Sequence, residues 1–144
     1  ELATGADAAL AALADDYYAY QNAEYHRVVM PDGSTEAADR FPDITPAAHE
    51  ARSAYARALR TKLAAIDPAR LSPAAQIDAA VLRTMLDEEI GDIAFREYER
   101  PFDSDSNFWS YIARPFPVTT EAELRRYIDR LRDLPRYFGQ HEAN

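Results

Sequence analysis

Apolar side chains recur every three or four residues along four stretches of the chain, which is the spacing of one face of an α-helix. These stretches run from about residue 7 to 29, 46 to 66, 73 to 97 and 121 to 134. No stretch alternates apolar and polar residues in the manner of a half-buried β-strand. The pattern predicts an all-α fold, an antiparallel bundle or array of about four to five helices.

The third helix has the widest apolar stripe, so we expect it to contact more than one neighbour. One row of the stripe consists of Leu82, Leu86, Ile90 and Ile93, and the other of Ile77, Val81 and Met85. The predicted core face of the fourth helix consists of Leu124, Ile128 and Leu131. The first helix presents Leu10, Leu13, Tyr17 and Tyr20.

Several boundaries carry residues that begin or end helices. Ser72 precedes Pro73, which predicts an N-cap followed by a proline in the first turn. Thr120 and Glu123 have the spacing of a capping box. Asp67 and Pro68 end the second helix, and residues 31–34 (Pro-Asp-Gly-Ser) predict a turn.

The four stretches and their connections suggest one helical domain over residues 1–144, or the N-terminal fragment of a larger one. Its predicted parts are a first helix (1–30), a linker (31–45), a helical hairpin (46–97), an irregular loop (98–119), and a helix with the start of the next (120–144). The loop is long and rich in aromatic residues and proline, which is typical of a functional or well-packed connection. A helix beginning at Pro135 would have only about two turns before Asn144. We therefore expect a longer protein.

Composition excludes several functional classes. The 144 residues include no cysteine, so this chain has no disulfide and no Cys-ligated metal site. There are 25 acidic and 16 basic residues, and residues 1–50 hold 10 of the acids and 2 of the bases, which argues against nucleic acid as a partner. The arginines of the fourth helix are interpreted as a solvated, salt-bridged face, with an anion-binding patch as the alternative. No apolar run approaches the ~20 residues of a membrane span.

Motifs for catalysis or metal binding are absent from the sequence. The pairs His49-Glu50 and His141-Glu142 lack the second histidine of a His-Glu-x-x-His zinc site. Glu88 and Asp92 share a helix face and suggest a solvated edge or, alternatively, a weak cation site. We therefore predict no catalytic residue, no metal ligand and no cofactor in this chain.

Two aromatic clusters are the candidate contact sites for a substrate or partner. The first contains Tyr17, Tyr20 and Tyr25, for which the edge of the core is the alternative interpretation. The second, in the irregular loop, contains Phe108, Trp109 and Tyr111. These residues either cover the apolar ends of the bundle or line a cleft formed with another part of the protein.

An ordered series of short motifs resembles the N-terminal region of a large bacterial family, domain of unknown function 885 (DUF885). The resemblance covers roughly residues 40–144. Its motifs are Arg-Phe-Pro-Asp-Ile-Thr at 40–45, Leu-Ala-Ala-Ile-Asp-Pro at 63–68, Leu-Ser-Pro at 71–73, Arg-Pro-Phe-Pro at 114–117, Thr-Glu-Ala-Glu at 120–123, Tyr-Ile-Asp-Arg-Leu at 127–131 and Leu-Pro at 134–135.

The resemblance implies a parent protein that looks like a zinc-dependent peptidase and often carries a secretion or lipoprotein signal. The family's metal motif lies in its C-terminal half, so zinc is implied only outside this chain. This chain would then be a scaffold or cleft wall, with the remainder of its own polypeptide and a peptide substrate as partners. The implied location is the periplasm or cell envelope, with the cytoplasm as an alternative. The alternative function is a free-standing helical protein-interaction module.

Overall fold

A computed structural model describes residues 5–100 and 118–144 of the chain. The chain divides into two compact units. The first unit comprises residues 1–21 and 47–95, and the second comprises residues 22–46 and 96–144. The described elements are mostly helices, which confirms the predicted all-α class, and a small two-stranded sheet accompanies them.

Three long helices build the first unit: α1 (Gly5–Glu24), whose last turn extends into the second unit, α2 (Pro46–Ala64) and α3 (Pro73–Ala94). The Arg60 side chain on α2 pairs with Asp87 on α3 at 2.9 Å. Leu63, later on α2, lines the same cavity as Ala79, which comes earlier on α3. Later residues of α2 therefore lie beside earlier residues of α3, so these consecutive helices run antiparallel, as the sequence predicted.

An apolar cluster from all three helices and the α2–α3 turn forms the core of the first unit. Leu59 and Leu86 have the largest fully buried side chains, and Leu71 comes from the turn. Burial of a leucine side chain contributes about 1.5–3 kcal/mol, so this cluster is the main source of stability for the unit. The other members are Leu10, Tyr17, Ala56, Leu63, Ala75, Ala79 and Leu82.

Caps fix the turn between α2 and α3 as the sequence predicted. Asp67 caps a short 3-10 helix (Pro68–Arg70) by accepting a hydrogen bond from the Ala69 N–H. The Ser72 side chain accepts from the Ala75 N–H and thereby caps α3. The Ser72 N–H itself donates to Asp7 Oδ1 at 2.9 Å, which ties the beginning of α3 to the beginning of α1.

The second unit begins with a β-hairpin that the helical pattern did not predict. α1 ends at Glu24, five residues before the predicted end, because His26 adopts a left-handed φ of 47°. Strand β1 (Arg27–Val29) then pairs antiparallel with β2 (Thr35–Ala37), with Val28 opposite Glu36. Gly33, at φ 82°, makes the tight reversal between them.

Two further helices complete the described part of the second unit: α4 (Glu121–Arg132) and α5 (Leu134–Ala143). The predicted capping box at Thr120 and Glu123 is present. Arg126 of α4 pairs with Glu36 of β2 at 2.8 Å, which fastens the hairpin to this helix. The exposed pairs Glu121–Arg125 and Asp129–Arg132 agree with the interpretation of the arginines on this helix as a solvated, salt-bridged face.

Two apolar faces predicted as core are exposed. On α3 the Leu82 and Leu86 row is buried, whereas Ile77, Val81 and Met85 are exposed. On α4 the predicted core face is also exposed, whereas Arg126 and Arg130 of the same helix make polar contacts with Glu36 and Arg40. The residues of this exposed face are Leu124, Ile128 and Leu131.

Candidate functional site

Tyr17 of the first candidate cluster lies in the core of the first unit and bonds to a carboxylate on α3. Its side chain is 8% exposed, and its hydroxyl donates to Glu89 Oε2 at 3.2 Å. Gln21, one turn further along α1, donates its Nε2 amide to the same oxygen at 3.1 Å. The two donors share a helix face because they are four residues apart. Glu89 thus fastens α3 to α1 in addition to the apolar contacts.

Tyr20 stacks on Tyr55 of α2 in the same unit. The ring centroids are 3.6 Å apart and the planes differ by 12°. Burial raises the pKa of Tyr55, and the nearby negative charges of Asp16 and Glu89 raise it further. At neutral pH the Tyr55 phenol therefore stays protonated and is able to donate a hydrogen bond.

The remaining candidate contact residues lie elsewhere. Tyr25 belongs to the second unit and is 36% exposed, with the Arg27 guanidinium 5.5 Å above its ring. Phe108, Trp109 and Tyr111 lie outside the described residues. A substrate or partner contact at any of these six positions stays a prediction.

The sequence alone did not identify the polar residues that contact or neighbour Tyr17 in the structure. Neither Glu89 nor Gln21 belongs to a motif that the sequence pattern singles out. The available signal was the spacing of Tyr17 and Gln21, which places two hydrogen-bond donors on one face of α1. The identity of the acceptor could not be read from this spacing, because Glu89 is 72 residues away from Tyr17.

The described residues contain no group of three or more His, Asp or Glu side chains that could hold a metal ion. His141 lies edge-on to Tyr137, with ring centroids 4.6 Å apart, and burial lowers its pKa. His49 is half-buried on α2. No helix within residues 5–100 and 118–144 is long and apolar enough to cross a membrane.

A second polar arrangement holds the segment Arg40–Thr45 against α4 and α5; we call it the main-chain clamp. The Phe41 N–H donates to Asp133 Oδ2 at 2.8 Å, and the Phe41 carbonyl accepts from Arg136 Nη2 at 2.7 Å. Arg136 also donates to both carboxylate oxygens of Asp133, each at 2.6 Å. One ion pair therefore satisfies both backbone groups of a residue whose side chain is 5% exposed.

The clamp repeats three residues further along the segment. The Ile44 N–H donates to Gln140 Oε1 at 3.2 Å, and Asn144 Nδ2 donates to the Ile44 carbonyl at 2.7 Å. The side chains of α5, its N-cap Asp133 and its C-cap Asn144 therefore hold two peptide groups of this segment, three residues apart.

Ring contacts close the clamp over Phe41. The Tyr137 ring stacks on it with centroids 4.7 Å apart, and the Arg130 guanidinium lies 4.0 Å from its centroid. Arg130 also donates to the Arg40 carbonyl at 3.1 Å. Burial lowers the pKa of Arg130, although a guanidinium stays charged at any physiological pH. These contacts place the first of the resemblance motifs, residues 40–45, under the face of α5.

The architecture is that of a mainly helical protein region with two differently built units. The profile of a family described as "Bacterial protein of unknown function (DUF885)" matches residues 25–144. The chain therefore belongs to the DUF885 family, as the sequence motifs indicated. Neither the curated proteins nor the solved structures include a match to this chain.

Proposed function

We propose that this chain is the N-terminal helical segment of a bacterial envelope protein that resembles zinc-dependent peptidases. In this proposal the segment lacks the catalytic motif and serves as a scaffold or as one wall of a peptide cleft. The family match over residues 25–144 supports membership of DUF885, and the peptidase-like parent is what the resemblance to that family implies. The proposed location is the periplasm or cell envelope, with a signal or lipid anchor on the precursor.

The observation that supports the scaffold role is that the polar side chains of each unit bind other elements of the same unit. Glu89 accepts two hydrogen bonds from α1, and Asp133 and Arg136 hold the backbone of Phe41. Polar groups that join two elements of one unit in this way stabilise the fold. The raised pKa of Tyr55, which follows from burial, also favours a structural role over acid–base chemistry.

The test is to express the complete reading frame that contains this chain and, separately, residues 1–144. After dialysis, bound zinc is measured by metal analysis, and cleavage is measured with a mixed peptide library. We expect zinc and cleavage in the longer product and neither in residues 1–144. Zinc and cleavage by residues 1–144 alone would contradict the scaffold role, and their absence from both products would contradict the peptidase-like parent.

A free-standing interaction module is the second candidate, and the exposed apolar row on α3 favours it. Ile77 is 67% exposed and Val81 54%, which is unusual for neighbouring positions on one helix face. A stop codon directly after Asn144, together with saturable binding of a partner by this chain, would favour the module over the peptidase segment.

A further inference from the structure

A cavity of about 220 Å³ lies where α2 turns into α3, within the first unit. Its apolar walls come from three elements: Leu63 near the end of α2, Leu71 in the turn, and Ala79 with Ala80 on α3. Apolar walls combined with a few polar side chains are the usual composition of a small-molecule site. The other lining residues are Ile66, Pro68, Gln76 and Arg83.

Hydrogen bonds and apolar packing hold the walls of this cavity in place. Gln76 donates its side-chain amide to the Leu71 carbonyl at 3.1 Å, which fastens the turn to α3. Asp67 and Ser72 cap the two helices on either side of Leu71. Leu63 and Leu71 also belong to the apolar cluster of the unit. The cavity is therefore formed before a ligand arrives, which lowers the entropic cost of binding.

Arg83 is the cationic side chain of the cavity. It follows Ala79 and Ala80 by one helical turn, so all three lie on one face of α3. Asp87, one turn later on this face, has the spacing of an ion-pair partner, but its Oδ1 accepts from Arg60 Nε at 2.9 Å instead. Within the described residues, Arg83 makes no hydrogen bond or ion pair. Its guanidinium is thus available to an anion.

The other charges beside the cavity do not compete with such an anion. No acidic residue is among those that line the cavity in the described part of the chain. Asp67, which precedes Pro68, is engaged by the Ala69 N–H, and Asp87 is engaged by Arg60. A guanidinium matches the planar geometry of a carboxylate. The cavity therefore favours a carboxylate attached to an apolar body.

The volume of the cavity limits the size of the ligand. It is smaller than the ~300–1,000 Å³ of sites for drug-sized molecules. A water molecule takes up about 30 Å³ of the liquid, so the cavity has room for about seven waters, or for an organic molecule with a similar number of non-hydrogen atoms. A short branched acid such as isovalerate is of this size, whereas a nucleotide is too large.

We propose that this cavity binds a small organic monocarboxylate with a short, branched apolar body. The carboxylate pairs with Arg83, and the apolar body packs against Leu63, Leu71 and Ala79. The proposal goes beyond the proposed function and does not rest on it, because the cavity is formed by residues of this chain alone.

The test is an NMR titration of the isotope-labelled chain with isovalerate. We expect saturable shifts around Leu71, Ala79 and Arg83, with a Kd of about 1 mM, as suits so small a ligand. Isovaleramide, the neutral amide of the same shape, should bind about two- to five-fold more weakly. Acetate, which lacks the apolar body, should bind at least about ten-fold more weakly.

Two variants assign the binding to this cavity. Arg83→Gln should weaken isovalerate binding about two- to five-fold and leave isovaleramide binding unchanged. Ala80→Leu fills the cavity and should abolish saturable binding, and leucine is nearly as favourable as alanine in a helix. The matched controls Arg57→Gln and Ala58→Leu make the same changes at exposed positions of α2 that do not line the cavity, and both should leave affinity unchanged.

The spectrum of each variant without ligand reports whether it is folded. Three results would each overturn the proposal: no saturable shift with isovalerate, equal affinity for isovalerate and isovaleramide, or an affinity that Ala80→Leu leaves unchanged. Equal affinity for acetate and isovalerate would also overturn it, because the anion would then bind at the surface without using the cavity.

Discussion

The two units of this chain are stabilised by different kinds of contact. In the first unit, three helices bury an apolar cluster around Leu59 and Leu86. In the second unit, the buried apolar residues Phe41 and Ile44 lie on a segment outside the helices and strands, and its backbone is held by side chains of α5 and its N-terminal flank. Apolar burial is non-directional, whereas the clamp depends on charges and on donor and acceptor geometry. The units should therefore respond differently to substitution and to pH.

The largest expected effect is in the first unit. Leu86→Ala removes a fully buried side chain, so we expect a loss of about 2–5 kcal/mol in the free energy of unfolding. Urea denaturation followed by circular dichroism measures it. Ile77→Ala on the exposed face of the same helix is the matched control and should cost less than about 0.5 kcal/mol. Equal losses for the two variants would contradict the position of the core.

In the second unit, Asp133→Ala leaves the Phe41 N–H and the Arg136 guanidinium without their shared acceptor. An unsatisfied buried donor costs about 1–3 kcal/mol, and we expect a loss in that range. Denaturant unfolding gives the value. The control is Asp129→Ala, which breaks the exposed pair with Arg132 and should cost no more than about 0.5 kcal/mol. If both variants lost the same small amount of unfolding free energy, the clamp would not contribute measurably to stability.

Acidification should destabilise the second unit in two steps. Burial lowers the pKa of His26 and His141, and the hydrogen bonds from Arg136 hold the pKa of Asp133 below its usual range. In each case the unfolded chain binds protons more readily, so stability is complete above the unfolded pKa and is lost as the pH falls through the folded one. The first loss therefore begins below about pH 6.5 and the second below about pH 3.9.

The pH dependence is followed through the backbone amide signals of Phe41 and Leu86 in NMR spectra between pH 7 and pH 3. We expect the Phe41 signal to disappear at a higher pH than the Leu86 signal. The reverse order would contradict a charge-dependent second unit.

The smallest expected effect concerns the exposed charge pairs on α4. Arg125→Ala removes an i,i+4 pair with Glu121, both side chains of which are largely exposed. We expect a change of no more than about 0.5 kcal/mol in thermal or urea unfolding. A larger loss would mean that Arg125 makes an additional contact. It would also contradict the expectation, set by Asp129→Ala, that exposed ion pairs add little to the stability of this unit.

Local signals in the sequence predicted the helices and their caps well. Ser72 with Pro73, and Thr120 with Glu123, fix helix starts through contacts within four residues, which is why sequence spacing reveals them. The hairpin escaped prediction because its strands have three residues each, too few for an alternating pattern. The clamp escaped prediction because Phe41 and Arg136 are 95 residues apart, and because Arg136 donates to the Phe41 backbone carbonyl, a group that every residue carries.

Periodicity also could not tell which apolar face of α3 would be buried. Both rows of the wide stripe have helical spacing, but only the row with Leu82 and Leu86 packs into the core. The hydrogen-bond partner of Tyr17 could not be predicted for the same reason. Its pairing with Glu89 depends on how α1 and α3 align. The Ser72–Asp7 hydrogen bond sets this alignment, and it too is long-range.

Hydrogen exchange at the Phe41 amide tests the central claim most directly. In the native chain at neutral pH, this amide should be strongly protected although it lies in neither a helix nor a strand, because Asp133 accepts its hydrogen bond. We predict that Asp133→Ala raises its exchange rate by about five-fold or more, as loss of about 1 kcal/mol or more of local stability requires, while Asp129→Ala leaves it unchanged. Exchange in the native chain as fast as in an unstructured peptide, or equal rates in the native chain and the Asp133→Ala variant, would contradict the clamp.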